Sequence, residues 1–172
     1  MIFNPKSFGA KADGSHDDTN AIQQAIDKAF FSGGGRIVLK NGVFLSGTIY
    51  LKSNISLEID ASACLLASPD INSYGSDTHH NRYRNEPELD RCFIFAENAD
   101  NIELCGNGII NGNAEFFPNS NNIYRPMMIR FLNCRNIRLH DLRLYNSAAW
   151  TTAFLDSERI FISNIDIKNS KN

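Results

Sequence analysis

The chain has 172 residues, 42% of them hydrophobic, with a formal charge of −2 and a pI near 6.1. That length supports one domain with a true core, and the charge supplies no basic field for nucleic acid. No run of about 18 apolar residues could cross a membrane.

Residues Met1 to Gly14 read as an extended entry strand closing in the turn Ala12-Asp13-Gly14. Met1 leads straight into Phe3-Asn4-Pro5 without the basic region and apolar core of a signal peptide. This favours a cytoplasmic chain, or one whose leader has been removed. Asp17-Asp18-Thr19 then offer capping oxygens and negative charge to a helix start. Ile22, Ala25, Ile26, Ala29 and Phe30 recur at helical spacing and form one apolar face, and Ser32-Gly33-Gly34-Gly35 ends the helix.

From Arg36 the pattern changes to short strands separated by turns. Ile37-Val38-Leu39, Val43-Phe44-Leu45, Thr48-Ile49-Tyr50-Leu51 and Ile55 to Ile59 are broken at Lys40-Asn41-Gly42, Ser46-Gly47 and Lys52-Ser53-Asn54. The longest units lie later. Asn136 to Asn146 is apolar at Ile137, Leu139, Leu142 and Leu144, and 23 positions on the template returns with Ile160, Ile162, Ile165 and Ile167. Looser copies open at Asn101 and Asn54. The 47 positions from Ile55 to Ile102 read as two units, and the 35 from Ile102 to Ile137 as one unit with a 12-residue insertion. Alternation at period 2 within a repeat of this length predicts stacked strands and excludes helical repeats. The expected fold is an all-β, single-stranded parallel β-helix, with the N-terminal α-helix as a lid on its first coil. The expected organisation is one domain, with residues 1–35 as entry strand and capping helix and 36–172 as coils.

Phe8-Gly9-Ala10-Lys11-Ala12-Asp13-Gly14, Asp17-Asp18-Thr19, Gly33-Gly34-Gly35, Gly47-Thr48-Ile49-Tyr50-Leu51-Lys52-Ser53-Asn54 and Leu65-Leu66-Ala67-Ser68 together resemble the opening of the polygalacturonase-type glycoside hydrolases, the pectin-degrading family 28. Gly106-Asn107-Gly108-Ile109-Ile110-Asn111-Gly112 is similar to the family's Gly-x-Gly-x-Ile-Asp-Gly turn, with Asn111 in place of aspartate. Arg125-Pro126, Phe131 to Ile137 and Asn146-Ser147-Ala148-Ala149-Trp150-Thr151 match later coils, with Ala148 where proline is common. The opening motif alone is shared with other β-helix proteins, including phage tail proteins. The resemblance implies a right-handed, pectate-lyase-like β-helix and inverting hydrolysis of galacturonic-acid-containing polysaccharide.

Between Ser68 and Phe93 the periodicity lapses in a polar excursion of a length that is usually functional or disordered. His79, His80, Arg82 and Arg84, with Tyr83, are candidates for gripping an acidic sugar, since guanidinium pairs with carboxylate in a two-pronged geometry. The alternative is a solvated loop. The two adjacent histidines diverge on an extended chain and are not read as metal ligands. In the second excursion, Asn113 to Tyr124, Phe116, Phe117 and Tyr124 either stack on a sugar or, as the favoured reading, pin the loop to the coil. Trp150, the single tryptophan, is a substrate-binding candidate and equally a core candidate.

Cys64, Cys92, Cys105 and Cys134 lack paired zinc-site spacing and read as reduced, mostly buried small hydrophobes. No metal or cofactor is expected.

Inverting glycoside hydrolysis needs an acid and a base roughly 6.5–9.5 Å apart. The family carries them after the Asn-Ser-x-x-Trp segment, in an Asn-x-Asp-Gly-x-Asp run, an Asp-Asp pair, Gly-His-Gly and Arg-x-Lys. None occurs here, and Asp141, Asp156, Glu158 and Asp166 read as isolated outer-face residues. No catalytic residue is assigned. The chain is expected to be the N-terminal part of such a hydrolase, inactive alone. A non-catalytic carbohydrate-binding or structural β-helix is the alternative, and a calcium-dependent lyase lacks clustered acids. Exposed Ile165 and Ile167 imply association through Arg159 to Asn169, with a second copy or with a C-terminal remainder. The other expected partner is an acidic polysaccharide, with neither nucleic acid nor membrane.

Overall fold

The computed structural model describes residues 1–78, 90–117 and 124–171. The entry segment is less extended than its sequence suggests. Strand β1 (Ile2–Phe3) gives way to a 3-10 turn, Pro5–Phe8, because the Asn4 side chain accepts a bond from Lys6 N and Pro5 is preset for the first turn. Gly9, at φ 101°, closes that turn before β2 (Asp13–Asp17).

Helix α1 (Thr19–Phe31) buries Ala21, Ile22, Ala25, Ile26 and Ala29. Phe30 falls outside this face, half exposed beside Phe31, with the Lys52 ammonium over both rings. The expected N-cap bond from Asp18 is absent; its carboxylate instead accepts from Lys11 N at 2.7 Å and Ala12 N at 2.9 Å, tying the entry segment to the helix start. Asp17 takes the bond from Thr19 N. The helix lies against β1 and the coil strands Gly35–Leu39, Ile49–Leu51 and Ile55–Ile59, and acts as a lid in a specific sense. The Gln23 amide pairs with both backbone groups of Tyr50, donating to its oxygen at 3.1 Å and accepting from its nitrogen at 2.9 Å. Tyr50 lies on an edge strand, so one side chain occupies polar groups that would otherwise invite another strand.

The coils comprise β3 (Gly35–Leu39), β4 (Gly42–Ser46), β5 (Ile49–Leu51), β6 (Ile55–Ile59), β7 (Ala63–Ala67), β8 (Cys92–Glu97), β9 (Asp100–Cys105), β10 (Ile109–Asn111), β11 (Met127–Leu132), β12 (Arg135–Tyr145), β13 (Thr152–Leu155) and β14 (Glu158–Lys168). All pairings are parallel, and they generate three faces of a right-handed β-helix. The first face stacks β1, β3, β6, β9 and the leading half of β12; the second stacks β2, β4, β7, β10 and its trailing half. The third stacks β5, β8, β11 and β13. Strands β12 and β14 run continuously across the first two faces, bending where Asp141 (φ 55°) and Asn164 (φ 50°) adopt the left-handed conformation.

Register follows the sequence repeat closely. Ile137 lies on Ile160, Leu139 on Ile162, Leu142 on Ile165 and Leu144 on Ile167, the 23-residue offset. Ile102 lies on Ile137, the 35-residue offset. The 47-residue interval is a correction: β6 pairs directly with β9, Leu57 on Leu104, so Ile55 to Ile102 is one coil enlarged by the long excursion, not two coils.

Alternate side chains fill the interior, with Ile37, Leu57, Leu104 and Leu139 all fully buried in one stack. Asparagines mark the corners because they tolerate positive φ, and their amides bond from coil to coil. Asn136 donates to Asn101 and Asn101 to Asn54, each at 2.8 Å, while Asn133 donates to Asn98 at 2.6 Å. The last coil is partly bare: Phe161, Ile162 and Ile167 are exposed, whereas Ile160 and Ile165 pack against the core, the latter contrary to expectation. All four cysteines are free thiols; Cys92, Cys105 and Cys134 are buried and Cys64 is intermediate. No helix among the described residues is long and apolar enough to cross a membrane.

Candidate functional site

The third face differs from the other two in that its central strands, β8 and β11, are covered on both sides: every residue from Cys92 to Ala96 and from Met127 to Leu132 is buried. Outside lies a small apolar cluster of Cys92, Phe95, Met127 and Ala149, with Tyr50 and Ala153 against it. Burial pushes the Cys92 thiol up to about 12 and raises Tyr50 well above the usual phenol range, the latter reinforced by its 2.6 Å bond to Asp77. These groups are neutral fillers at physiological pH.

His79, His80, Arg82 and Arg84 lie outside the described residues. Both ends of their loop are fixed on the third face, however. Thr78 Oγ1 donates to Asp90 O at 2.5 Å, and the buried Arg130 guanidinium donates to Thr78 O at 2.8 Å and contacts Met127 Sδ. Arg91 then pairs with Asp90 at 2.6 Å and lies 5.1 Å from the Tyr124 ring centroid. Met127 N bonds to Arg91 O and Met128 N to Trp150 O, so Arg91 and Trp150 flank the start of β11, about two strand spacings apart, or roughly 10 Å. Trp150 is 51% exposed and is not a core residue. Phe117 pins the second excursion, packed edge-on against Tyr74 at 6.2 Å, whereas Phe116 is exposed. Arg125 Nη1 donates to Ala148 O, and Lys171 Nζ to Ala114 O.

Arg91 and Arg130 were not singled out by sequence, and Tyr124, read there as a loop-pinning or sugar-stacking ring, lies beside Arg91. A signal existed: Cys92 to Ala96 and Met127 to Phe131 are nearly continuous apolar runs, the mark of a strand covered on both faces.

The first face carries a different array. Its outward positions form two rows across the coils, Arg36, Ser56, Glu103 and Arg138 in one and Glu58, Cys105 and His140 in the next. Gly35, Asn54, Ser56, Glu103 and Arg138 border an open groove of about 510 Å³. His140 Nδ1 bonds to Asp141 Oδ2 at 2.8 Å and Nε2 lies 3.2 Å from Glu103 Oε1, and these two carboxylates raise the imidazole pKa above its ordinary value. Ser56 Oγ donates to Glu103 Oε2 at 2.6 Å, which with His140 holds that carboxyl below its usual range.

The acids read as isolated are in fact engaged. Asp141 accepts from Asn164 at 2.6 Å as part of the bend, Asp166 accepts from Tyr145 at 2.7 Å, and Glu158 lies 3.5 Å from Arg135.

Residues 2–170 match the family described as rhamnogalacturonase A/epimerase, pectate lyase-like. The chain belongs to this family. It is 28% identical over 180 residues to a probable polygalacturonase of Vitis vinifera, covering 93% of the chain and 35% of that protein. It is 36% identical over 121 residues to an exo-poly-alpha-D-galacturonosidase of Dickeya chrysanthemi, covering 65% of the chain and 19% of that protein. The solved hyperthermoactive exopolygalacturonase of Thermotoga maritima superposes with a TM-score of 0.83 at 25% identity, covering 97% of the chain and 46% of that structure. The chain thus spans about a third or less of the length of these two curated relatives.

Within this polygalacturonase-like chain the departures from the family motif have local explanations. Asn111 accepts from Asn113 N at 2.9 Å and from the Asn146 amide at 3.1 Å, an amide ladder at the corner. In the Asn146 to Trp150 segment Ser147 is fully buried and donates to Ala149 O at 2.8 Å, closing the turn that brings Trp150 onto the third face.

Proposed function

We propose that this chain is the N-terminal part of a polygalacturonase-like hydrolase that cleaves galacturonic-acid-containing polysaccharide or oligosaccharide with inversion, and that its outer third face is the start of the substrate track. The observation carrying this reading is the convergence of Arg91, Trp150 and both anchored ends of the 79–89 loop on that one face. Guanidinium groups suit the sugar carboxylate, and an exposed indole suits the C–H face of a pyranose.

The path of the chain supports the same placement for the chemistry. Lys171 N bonds to Ser147 O, so the backbone after β14 is already stacking on the turn that leads into β13. A following Asn-x-Asp-Gly-x-Asp run would lie on the third face beside β13, adjacent to Trp150. This chain alone then binds oligogalacturonate without hydrolysing it. Calorimetry with an oligogalacturonate should detect binding weakened about tenfold by Trp150→Ala, a loss of roughly 1.4 kcal/mol. Reducing-sugar release from polygalacturonate should stay at the blank. Turnover refutes the assignment of catalysis to later coils; absence of binding refutes the substrate track and favours a structural β-helix.

The bare side chains of the last coil support association through Arg159 to Asn169, with a second copy or with further coils. Sedimentation showing a stable monomer at micromolar concentration rejects pairing of two copies.

A further inference from the structure

We propose that Glu103, Cys105 and His140 form a zinc site on the outer first face, joining β9 to β12, distinct from the substrate track on the third face. Among the described residues these three are the one group whose ligand atoms converge, all within 4.8 Å of one another. Glu103 and Cys105 are two apart on β9 and so point the same way, while His140 comes from the next coil. The set of one thiolate, one imidazole and one carboxylate matches zinc, which accepts all three donor types in a tetrahedron with an open fourth position for water.

Distances agree with that assignment. Two zinc bonds of about 2.05 Å at a tetrahedral angle hold their donor atoms roughly 3.3 Å apart, and a nitrogen–sulfur pair roughly 3.6 Å apart. His140 Nε2 and Glu103 Oε1 are 3.2 Å apart. With all three ligand atoms within 4.8 Å of one another, the Cys105 sulfur closes by at most about 1.2 Å to reach that separation.

The surroundings orient these ligands as the outer shell of a zinc site does. His140 turns Nε2 toward the cluster because Nδ1 is engaged by Asp141 Oδ2 at 2.8 Å, and Asp141 is held by Asn164 at 2.6 Å. Ser56 Oγ occupies Glu103 Oε2 at 2.6 Å and leaves Oε1 for the metal. Arg36 is drawn toward Glu58 at 3.0 Å and stays 3.8 Å from Glu103. Thiolate, carboxylate and neutral imidazole around a divalent ion sum to no net charge, which suits the half-buried position. Binding displaces the Cys105 thiol proton, which burial holds on the sulfur in the metal-free protein.

The test uses the 172-residue chain, reduced and freed of metal. Titration with Co²⁺ should give a thiolate-to-cobalt charge-transfer band and the visible bands of four-coordinate cobalt, both erased by one equivalent of Zn²⁺, and Zn²⁺ should raise Tm. Cys105→Ser should remove the charge-transfer band, and Cys64→Ser should leave it intact. Circular dichroism shows whether each variant keeps its strands. His140→Gln, at a more exposed position, provides the second ligand test, with loss of the four-coordinate spectrum expected. Asp141→Asn should weaken affinity by about 10- to 100-fold while keeping the band. No band in the wild-type chain, or a band that survives in folded Cys105→Ser or His140→Gln, overturns the site.

Discussion

Leu104→Ala and Ile162→Ala probe one interior stack at two depths, and their costs should differ severalfold. Leu104 and Ile162 each stack on Leu139, the former from the preceding coil and the latter from the following one. Leu104 is fully buried, whereas Ile162 is 52% exposed on the last coil of this chain. Truncating Leu104 removes its transfer free energy and leaves a cavity that flanking β-strands, fixed by parallel ladders on both sides, cannot collapse, so about 2–5 kcal/mol is lost. Ile162 keeps roughly half of a burial worth about 1.5–3 kcal/mol, and its open side forms no cavity, so the loss is about 0.7–1.5 kcal/mol. Urea unfolding followed by circular dichroism gives both numbers as midpoint shifts at constant slope. Equal losses, or a larger one at Ile162, would falsify the stacking order.

Three further outcomes test other parts of the structure. Gln23→Ala leaves both backbone groups of Tyr50 without their side-chain partner and should cost about 1–3 kcal/mol by the same unfolding assay; a neutral result contradicts the edge-satisfying role of the helix. Gly47→Ala drives a methyl to within 1.9 Å of Ser73 O, a backbone atom that cannot swing away, so the variant should unfold at markedly lower urea; a wild-type midpoint shows that the Ser73 turn yields freely. His140, in metal-free protein, should titrate above 6.5 by proton NMR, because Asp141 and Glu103 favour its charged form. Its contribution to stability is therefore complete below the unfolded pKa and is lost as pH rises through the folded one, and Asp141→Asn should shift the midpoint down.

The repeat is legible in sequence because a parallel coil must return each apolar side chain to the same slot. Ile137 and Ile160 are 23 positions apart and lie on each other. Asparagines recur for the same reason: each corner demands a left-handed residue, and the amide supplies a ladder bond as well. The 47-residue interval misled because spacing counts residues without saying whether they form a coil or a loop. Phe30 misled because helical periodicity continues to the end of a helix whether or not anything lies beneath its last turn.

The sequence by itself determined the period, the inward face of the alternating strands, the capping helix and the polygalacturonase-like family, since each depends on local spacing or a contiguous motif. Only the tertiary structure decided which outward side chains meet across coils. Arg91 and Trp150 are 59 positions apart yet flank one strand, and Glu103 and His140 are 37 apart yet nearly touch. Stacking turns a separation of tens of residues along the chain into one or two strand spacings, about 5–10 Å, and a linear pattern carries no record of which outward side chains that brings together.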